Sequence, residues 1–310
     1  MNTSMQSRQP TSVLKNLLQA MRQHPLFFFF LIAYAGSWIV SIPYVLAEWG
    51  ILRGDFTIAF VLKPFVGPFL AGYVMTSVQE GREGVMRFRQ RIKQRRASWQ
   101  WYLFILLGIP ALILLGIVIQ PGALASFQGL KPALLISYPL TYVLVFFGGG
   151  PLGEEPGWRG FALPRLQSRY GALWGSLLLG LLWGGWHLPD FLTAAQGGGP
   201  GTGLAAFLVN FPTFMLLVLS LAILLTWIYN HTGGSIFIST LAHASVNTPQ
   251  VALVPLFLAV GLTSLNLAAL VGFGVPALLI VILTRGRLGY QPEEAQTLMA
   301  GEPRAQSAVS

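Results

Sequence analysis

The sequence predicts an all-α, polytopic transmembrane bundle of about eight spans enclosing an intramembrane polar cavity, and three observations predict it. Of 310 residues 54% are hydrophobic and only 9% charged, with a mean hydropathy of +0.63, whereas soluble domains are about 25% charged. Apolar runs of roughly 20 residues, the length a helix needs to cross hydrocarbon, recur along the chain. The basic residues gather between those runs, so the net charge of +9 is explained by retention of cations on the cytoplasmic side and by anionic lipid. The lipid bilayer is therefore an expected partner and nucleic acid is not. The absence of cysteine excludes a disulfide framework, a thiol nucleophile and a cysteine-type metal site. No cleavable signal is expected, because the first apolar run is long enough to span.

Residues 1–25 form a basic segment carrying Arg8, Lys15 and Arg22, and Val13 to Met21 suits a short amphipathic helix on the membrane surface. Residues 26–284 form the membrane domain. Leu26 to Ala47 is the first span and Phe56 to Val78 the second, with Lys63 placed to snorkel to its outer end. The segment 79–98 sets Arg82, Arg87, Arg89, Arg91, Lys93, Arg95 and Arg96 against Glu80 and Glu83, the strongest cytoplasmic signal in the chain. Trp99 to Ile119 is a third span, Pro132 begins a fourth that runs to Glu155, and Ala172 to Leu188 is a fifth. Leu204 to Tyr229, Ser235 to Leu258 and Ser264 to Leu283 complete the set. Eight spans put both termini in the cytoplasm and every basic-rich loop on one side of a cell membrane. Residues 285–310 read as a cytoplasmic, disordered tail.

Between Gly84 and Pro292 only Glu154, Glu155 and Asp190 are acidic. Carboxylates are costly in hydrocarbon, so the adjacent pair is a functional hypothesis by default. After Glu155 an amphipathic stretch continues to Tyr170. A turn at Tyr170–Gly171 with antiparallel arms sets Glu154 and His187 each about 24 Å from it, level with one another. His243 and Asn247 share a helical face one turn apart. Arg159, at i+4 from Glu155, can hold a carboxylate ionised and in place. One polar cluster is thus permitted, opening to the cytoplasm.

Such a cluster suits activation of water in either of two ways. Glu154, His187 and His243 could hold a divalent ion such as Zn²⁺ and acidify its water, with Glu155 or Asn247 in support. Alternatively Glu154 is the general base, oriented by His187, while His243 and Asn247 donate to the developing oxyanion. Asp190 reads as an interfacial or capping residue, and His24 and His231 as bystanders. The glycines at 148–150 and 197–203 are followed by no P-loop lysine and read as turns or close helix contacts.

At these residues the sequence resembles the CPBP family of membrane proteases, which includes the type II CAAX prenyl endopeptidases and bacteriocin-processing or immunity proteins. The matching parts are Glu154-Glu155-Pro156-Gly157-Trp158-Arg159, then Trp183-Gly184-Gly185-Trp186-His187, then His243-Ala244-Ser245-Val246-Asn247. They occur in order between about 138 and 250, the expected catalytic core, with Trp183 where phenylalanine is also found. The resemblance implies an intramembrane endopeptidase open to the cytoplasm, acting on a membrane-embedded or lipidated peptide through Glu154, His187, His243 and Asn247, with Glu155 and Arg159 close by. A non-catalytic scaffold or immunity protein of the same fold ranks second. A transporter ranks third, since its polar residues would be distributed through both membrane halves.

Overall fold

The computed structural model describes residues 10–148 and 150–292. The first nine residues of the basic segment, and the part of the expected disordered tail from 293 on, lie outside the described residues. Among those described the chain is helical, apart from one isolated antiparallel bridge between Phe127 and Phe257.

Helix α1 (Pro10–Gln23) leaves Val13, Leu14 and Leu17 exposed and is tied down at its end, where Arg22 Nε donates to the Val78 carbonyl (3.1 Å) and Gln79 Nε2 to that of Met21 (3.0 Å). An exposed apolar face on a basic helix suits the membrane surface. Helix α2 (Pro25–Glu48) starts with proline in its first turn, where the missing N–H costs nothing. Helix α3 (Thr57–Lys93, 37 residues) is about 55 Å long and so overshoots a hydrocarbon core of about 30 Å. The basic segment expected as a loop is accordingly the projecting end of this helix, bent at Gly81, whose φ is +63°. Helix α4 (Trp99–Val118) returns across the membrane.

Helix α5 (Leu134–Gly148) and helix α6 (residues 151–170) replace the continuous fourth span read from the sequence. The break falls just before the acidic pair, at Gly150, whose φ of +105° only glycine adopts freely. Within α6, Pro156–Ala162 winds as a π-helix. Pro156 at its first position and the wider turn go together, since proline cannot complete the regular ladder. Gly171 (φ +77°) makes the expected turn, and α7 (Ala172–Trp186) runs back along α6. Helices α8 (Leu204–His231), α9 (Ile236–Ala252) and α10 (Leu262–Thr284) complete the bundle. Ser235 Oγ caps α9 by accepting from the Ile238 N–H at 3.1 Å.

Among the described residues six helical stretches are long and apolar enough to cross a membrane, α5 and α6 counting together as one. Helices α7 and α9, of 15 and 17 residues, are the remaining two of the eight apolar segments and stop short of a full crossing.

Glycines let three backbones touch beneath the site. A Cβ on Gly36 would lie 2.3 Å from the Val66 carbonyl oxygen, one on Gly153 2.7 Å from Pro64 Cβ, and one on Gly157 2.3 Å from the Pro68 oxygen. Small residues buy such approach in membranes, where packing rather than water drives helix association. The π-helical turn Phe65–Phe69 of α3 is thereby clamped between α2 and α6. Gly157→Ala is expected to destabilise the fold by about 1–3 kcal/mol through overpacking against immovable backbone. The measurement is the thermal midpoint in detergent, which should fall.

Candidate active site

Glu154 and Glu155 stand in the first turn of α6, where the helix dipole favours negative charge. The turn that places them is closed by the Gly153 and Glu154 N–H groups donating to the Gly150 carbonyl at 2.8 and 2.9 Å. Gly150 also makes room: a Cβ there would sit 2.7 Å from Glu154 Oε1. The other carboxylate oxygen, Oε2, accepts from Trp183 Nε1 at 2.7 Å and lies 4.0 Å from His187 Nε2. The levels inferred from the hairpin are therefore met in the folded chain.

Glu155 faces the other way. Its Oε1 accepts from Arg159 Nη1 and from His243 Nδ1, both at 2.9 Å, and neither Glu155 nor Arg159 is exposed at all. The bond to Glu155 commits Nδ1 of His243 as a donor, which leaves Nε2 for the cavity. Arg159 also stacks on Trp183, with its guanidinium carbon 4.3 Å from the ring centre, a cation–π contact strengthened by desolvation. Trp183 thus joins both halves of the site: its N–H holds Glu154 and its face holds Arg159.

His187 follows directly on α7. Its Nδ1 is 2.7 Å from Asp190 Oδ2, a bond made across one 3₁₀ turn in which the Asp190 N–H donates to the His187 carbonyl at 2.8 Å. Asp190 in turn forms an ion pair with Lys63, whose ammonium lies 4.4 Å from the centre of the Trp186 ring. Two expectations are corrected here. Lys63 does not snorkel to the outer end; it is 7% exposed, because the Asp190 carboxylate and the aromatic faces compensate its charge inside the bundle. Asp190 is buried and fixes the orientation of His187.

Glu154, Trp183, His187, Asp190, His243 and Asn247 all line one cavity of about 640 Å³. Asn247 is half-buried, one turn beyond His243 on the same face of α9. Phe191, Phe214, Leu217, Val218 and Leu221 make its apolar walls. All six residues singled out in the sequence are therefore assembled: four face the cavity, while Glu155 and Arg159 form the buried pair behind it.

The lining extends to Ala195 and Gln196 in the loop after α7 and to Gln250 and Val251 at the end of α9.

A divalent ion requires several donors converging on one point. Among the described residues no group of three or more His, Asp or Glu side chains is arranged to hold one. Glu154 Oε2 accepts an indole N–H and His243 Nδ1 is bound to Glu155. Those bonds leave Nε2 of His243 uncommitted, and the arrangement suits proton transfer.

Trp183, Lys63, Asp190 and Gly150 carry structural duties at the site that sequence reasoning did not assign. The available signal was chemical: a tryptophan offers an N–H that a phenylalanine lacks. Trp183→Phe should retain the stacking on Arg159 but remove the bond to Glu154, worth about 1.5–3 kcal/mol for a charged acceptor. A roughly tenfold or larger fall in kcat with little change in KM is expected from steady-state kinetics.

Comparison with known proteins agrees with this region. Residues 136–249 match the family model described as "Type II CAAX prenyl endopeptidase Rce1-like". The chain is also 26% identical over 195 residues, 61% of its own length and 70% of the relative's, to CAAX prenyl protease 2 of Methanococcus maripaludis.

Proposed function

We propose, from the premise that the chain is a CPBP family protease, that it hydrolyses a peptide bond of a membrane-embedded or lipid-anchored peptide by carboxylate-activated water. The observation that carries this reading is the 4.0 Å separation of Glu154 Oε2 from His187 Nε2 on the wall of an intramembrane cavity, each group being held from behind by a different partner. A gap of that size suits one water donating to both, since the Nδ1–H of His187 is engaged by Asp190.

In this mechanism Glu154 takes a proton from water as its oxygen bonds to the scissile carbonyl carbon. Oxygen charge then develops where Nε2 of His243 and the amide of Asn247 can donate to it. This donation uses Nε2 of His243 while its Nδ1 is held by Glu155. Collapse of the tetrahedral intermediate breaks the C–N bond, and the proton on Glu154 passes to the leaving nitrogen. The buried ion pairs Arg159–Glu155 and Lys63–Asp190 each compensate one carboxylate and leave Glu154 as the one without a fixed cation of its own.

The name of the archaeal relative suggests a prenylated carboxy-terminal peptide as the first substrate class to try. The test uses detergent-purified protein with farnesylated and unmodified peptides in parallel, analysed by mass spectrometry; no cleavage of either would overturn the proposal. Cleavage is expected to persist after dialysis against a chelator. Activity lost there and restored by zinc would replace this mechanism with a metal-based one.

A further inference from the structure

Helix α10 joins the cavity wall through Leu265 and Asn266. From Leu267 to Leu283 this helix carries no polar side chain, so Asn266 is its last amide before a wholly apolar stretch. The residue is 5% exposed, and burial of an amide is unfavourable unless it is hydrogen-bonded.

Other amides of the bundle meet that requirement within the protein. Asn210 of α8 is buried too, and its Oδ1 accepts from Thr263 Oγ1 of α10 at 2.7 Å. Asn230 exchanges bonds with Gln167 at 2.9 and 3.1 Å and donates to the Leu288 carbonyl at 2.9 Å. Gln250, also on the cavity wall, donates to the Val246 carbonyl of its own helix at 3.0 Å. Asn266 Nδ2 is buried and has no partner. Among the described residues, it is the one buried and unpartnered side-chain polar atom that belongs to a residue of the cavity wall.

Across much of that wall the lining is apolar, with Phe214, Leu217, Val218 and Leu221 of α8. A peptide entering such surroundings loses water from its own N–H and C=O groups, which must then be paired again. A segment opened for attack at a main-chain carbonyl cannot satisfy those groups within a helix of its own, so the wall has to supply partners. A primary amide carries both donors and an acceptor, the complement of a peptide group.

We infer, building on the hydrolytic reading, that Asn266 is a substrate-binding residue whose amide pairs with one main-chain peptide group of the bound segment, away from the scissile bond. The ligand is thus an extended peptide held in part by its backbone. Such a contact binds ground state and transition state alike, so its loss falls on KM rather than on kcat.

The full-length Glu154→Gln protein, in which bound peptide is not turned over, provides the test. Binding of fluorescently labelled peptides, farnesylated and unmodified, is read by anisotropy in detergent. Asn266→Leu has nearly the same volume and no polar atom. It should weaken binding about three- to tenfold, the worth of one hydrogen bond, while the thermal midpoint stays level or rises because an unpartnered polar group has left the interior. A fall in the midpoint would mark Asn266 as a structural bond and overturn the assignment, as would unchanged binding. Peptides with one amide at a time replaced by an ester then locate the contact. At one position the ester should weaken binding to protein with Asn266 and have no effect with Asn266→Leu; equal penalties in both at every position would overturn the pairing. Binding with the expected pattern but no cleavage by the wild type would remove the hydrolytic reading and not the contact. Cleavage with KM unaltered by Asn266→Leu would remove the contact and not the hydrolysis, and binding of neither peptide would remove both.

Discussion

Glu154→Gln is expected to abolish cleavage while leaving the protein folded and inserted. Glutamine has nearly the same shape and can still accept from the Trp183 indole, which now reaches Oε2 at 2.7 Å, so packing should survive. What is lost is the capacity to take a proton from water. A positioned general base contributes about 10²–10⁴ in rate, and the same carboxylate is assigned to return the proton to the leaving nitrogen, so the loss should lie at or beyond the upper end of that range. Single-turnover cleavage beside a thermal melt separates the two effects. A variant that melts like wild type and turns over normally would remove Glu154 from the mechanism, and would leave Glu155, which is committed to Arg159 and His243, as no substitute.

Breaking the ion pair of Lys63 with Asp190 is expected to have the second largest effect, and in two separable parts. Lys63→Met strands a carboxylate that is only 8% exposed beside His187, and removal of one member of a buried pair costs about 3–5 kcal/mol. Lys63→Met with Asp190→Leu removes both charges, and well-packed apolar replacements of buried pairs are frequently neutral in stability. Stability should thus return in the double variant. Activity should not, because Nδ1 of His187 then has no acceptor at 2.7 Å and the ring is free to rotate away from Glu154. A fall in kcat that persists in the double variant after the thermal midpoint has recovered identifies Asp190 as a positioning residue. Recovery of both would limit the pair to holding α3 against the loop after α7.

How much of this was legible beforehand follows from the range of each interaction. Eight apolar segments and the hairpin at Gly171 are local features, written in hydropathy and turn chemistry. The match in depth of Glu154 and His187 then follows from rise per residue alone, which is why it was reached without coordinates. His243 and Asn247 share a face by spacing, and Arg159 reaches Glu155 for the same reason. The Lys63–Asp190 pair joins residues 127 apart in sequence, and a lone lysine near a helix end carries no mark of its partner. The direction of the Trp183 N–H depends on the rotation of α7 about its axis, which sequence does not fix. The helical continuation of α3 was hidden because charged residues end a hydropathy span without ending a helix. The two short helices were masked in turn because apolar residues of the neighbouring 3₁₀ turns extend their hydropathy.

Those short helices give the bilayer itself a part in the site. At 1.5 Å per residue α7 and α9 reach only about 22 and 25 Å, less than the roughly 30 Å of hydrocarbon around them. Both helices are followed by 3₁₀ turns, Leu188–Leu192 and Val254–Leu256, and non-helical backbone at membrane depth is tolerated only where it lines a wet cavity. Acyl chains can therefore not close flush around those ends, and the membrane must thin or tilt the protein to cover the remainder. Hydrophobic mismatch at the helix that ends before His187 and at the one that carries His243 thus brings the aqueous phase down towards the carboxylate that needs it.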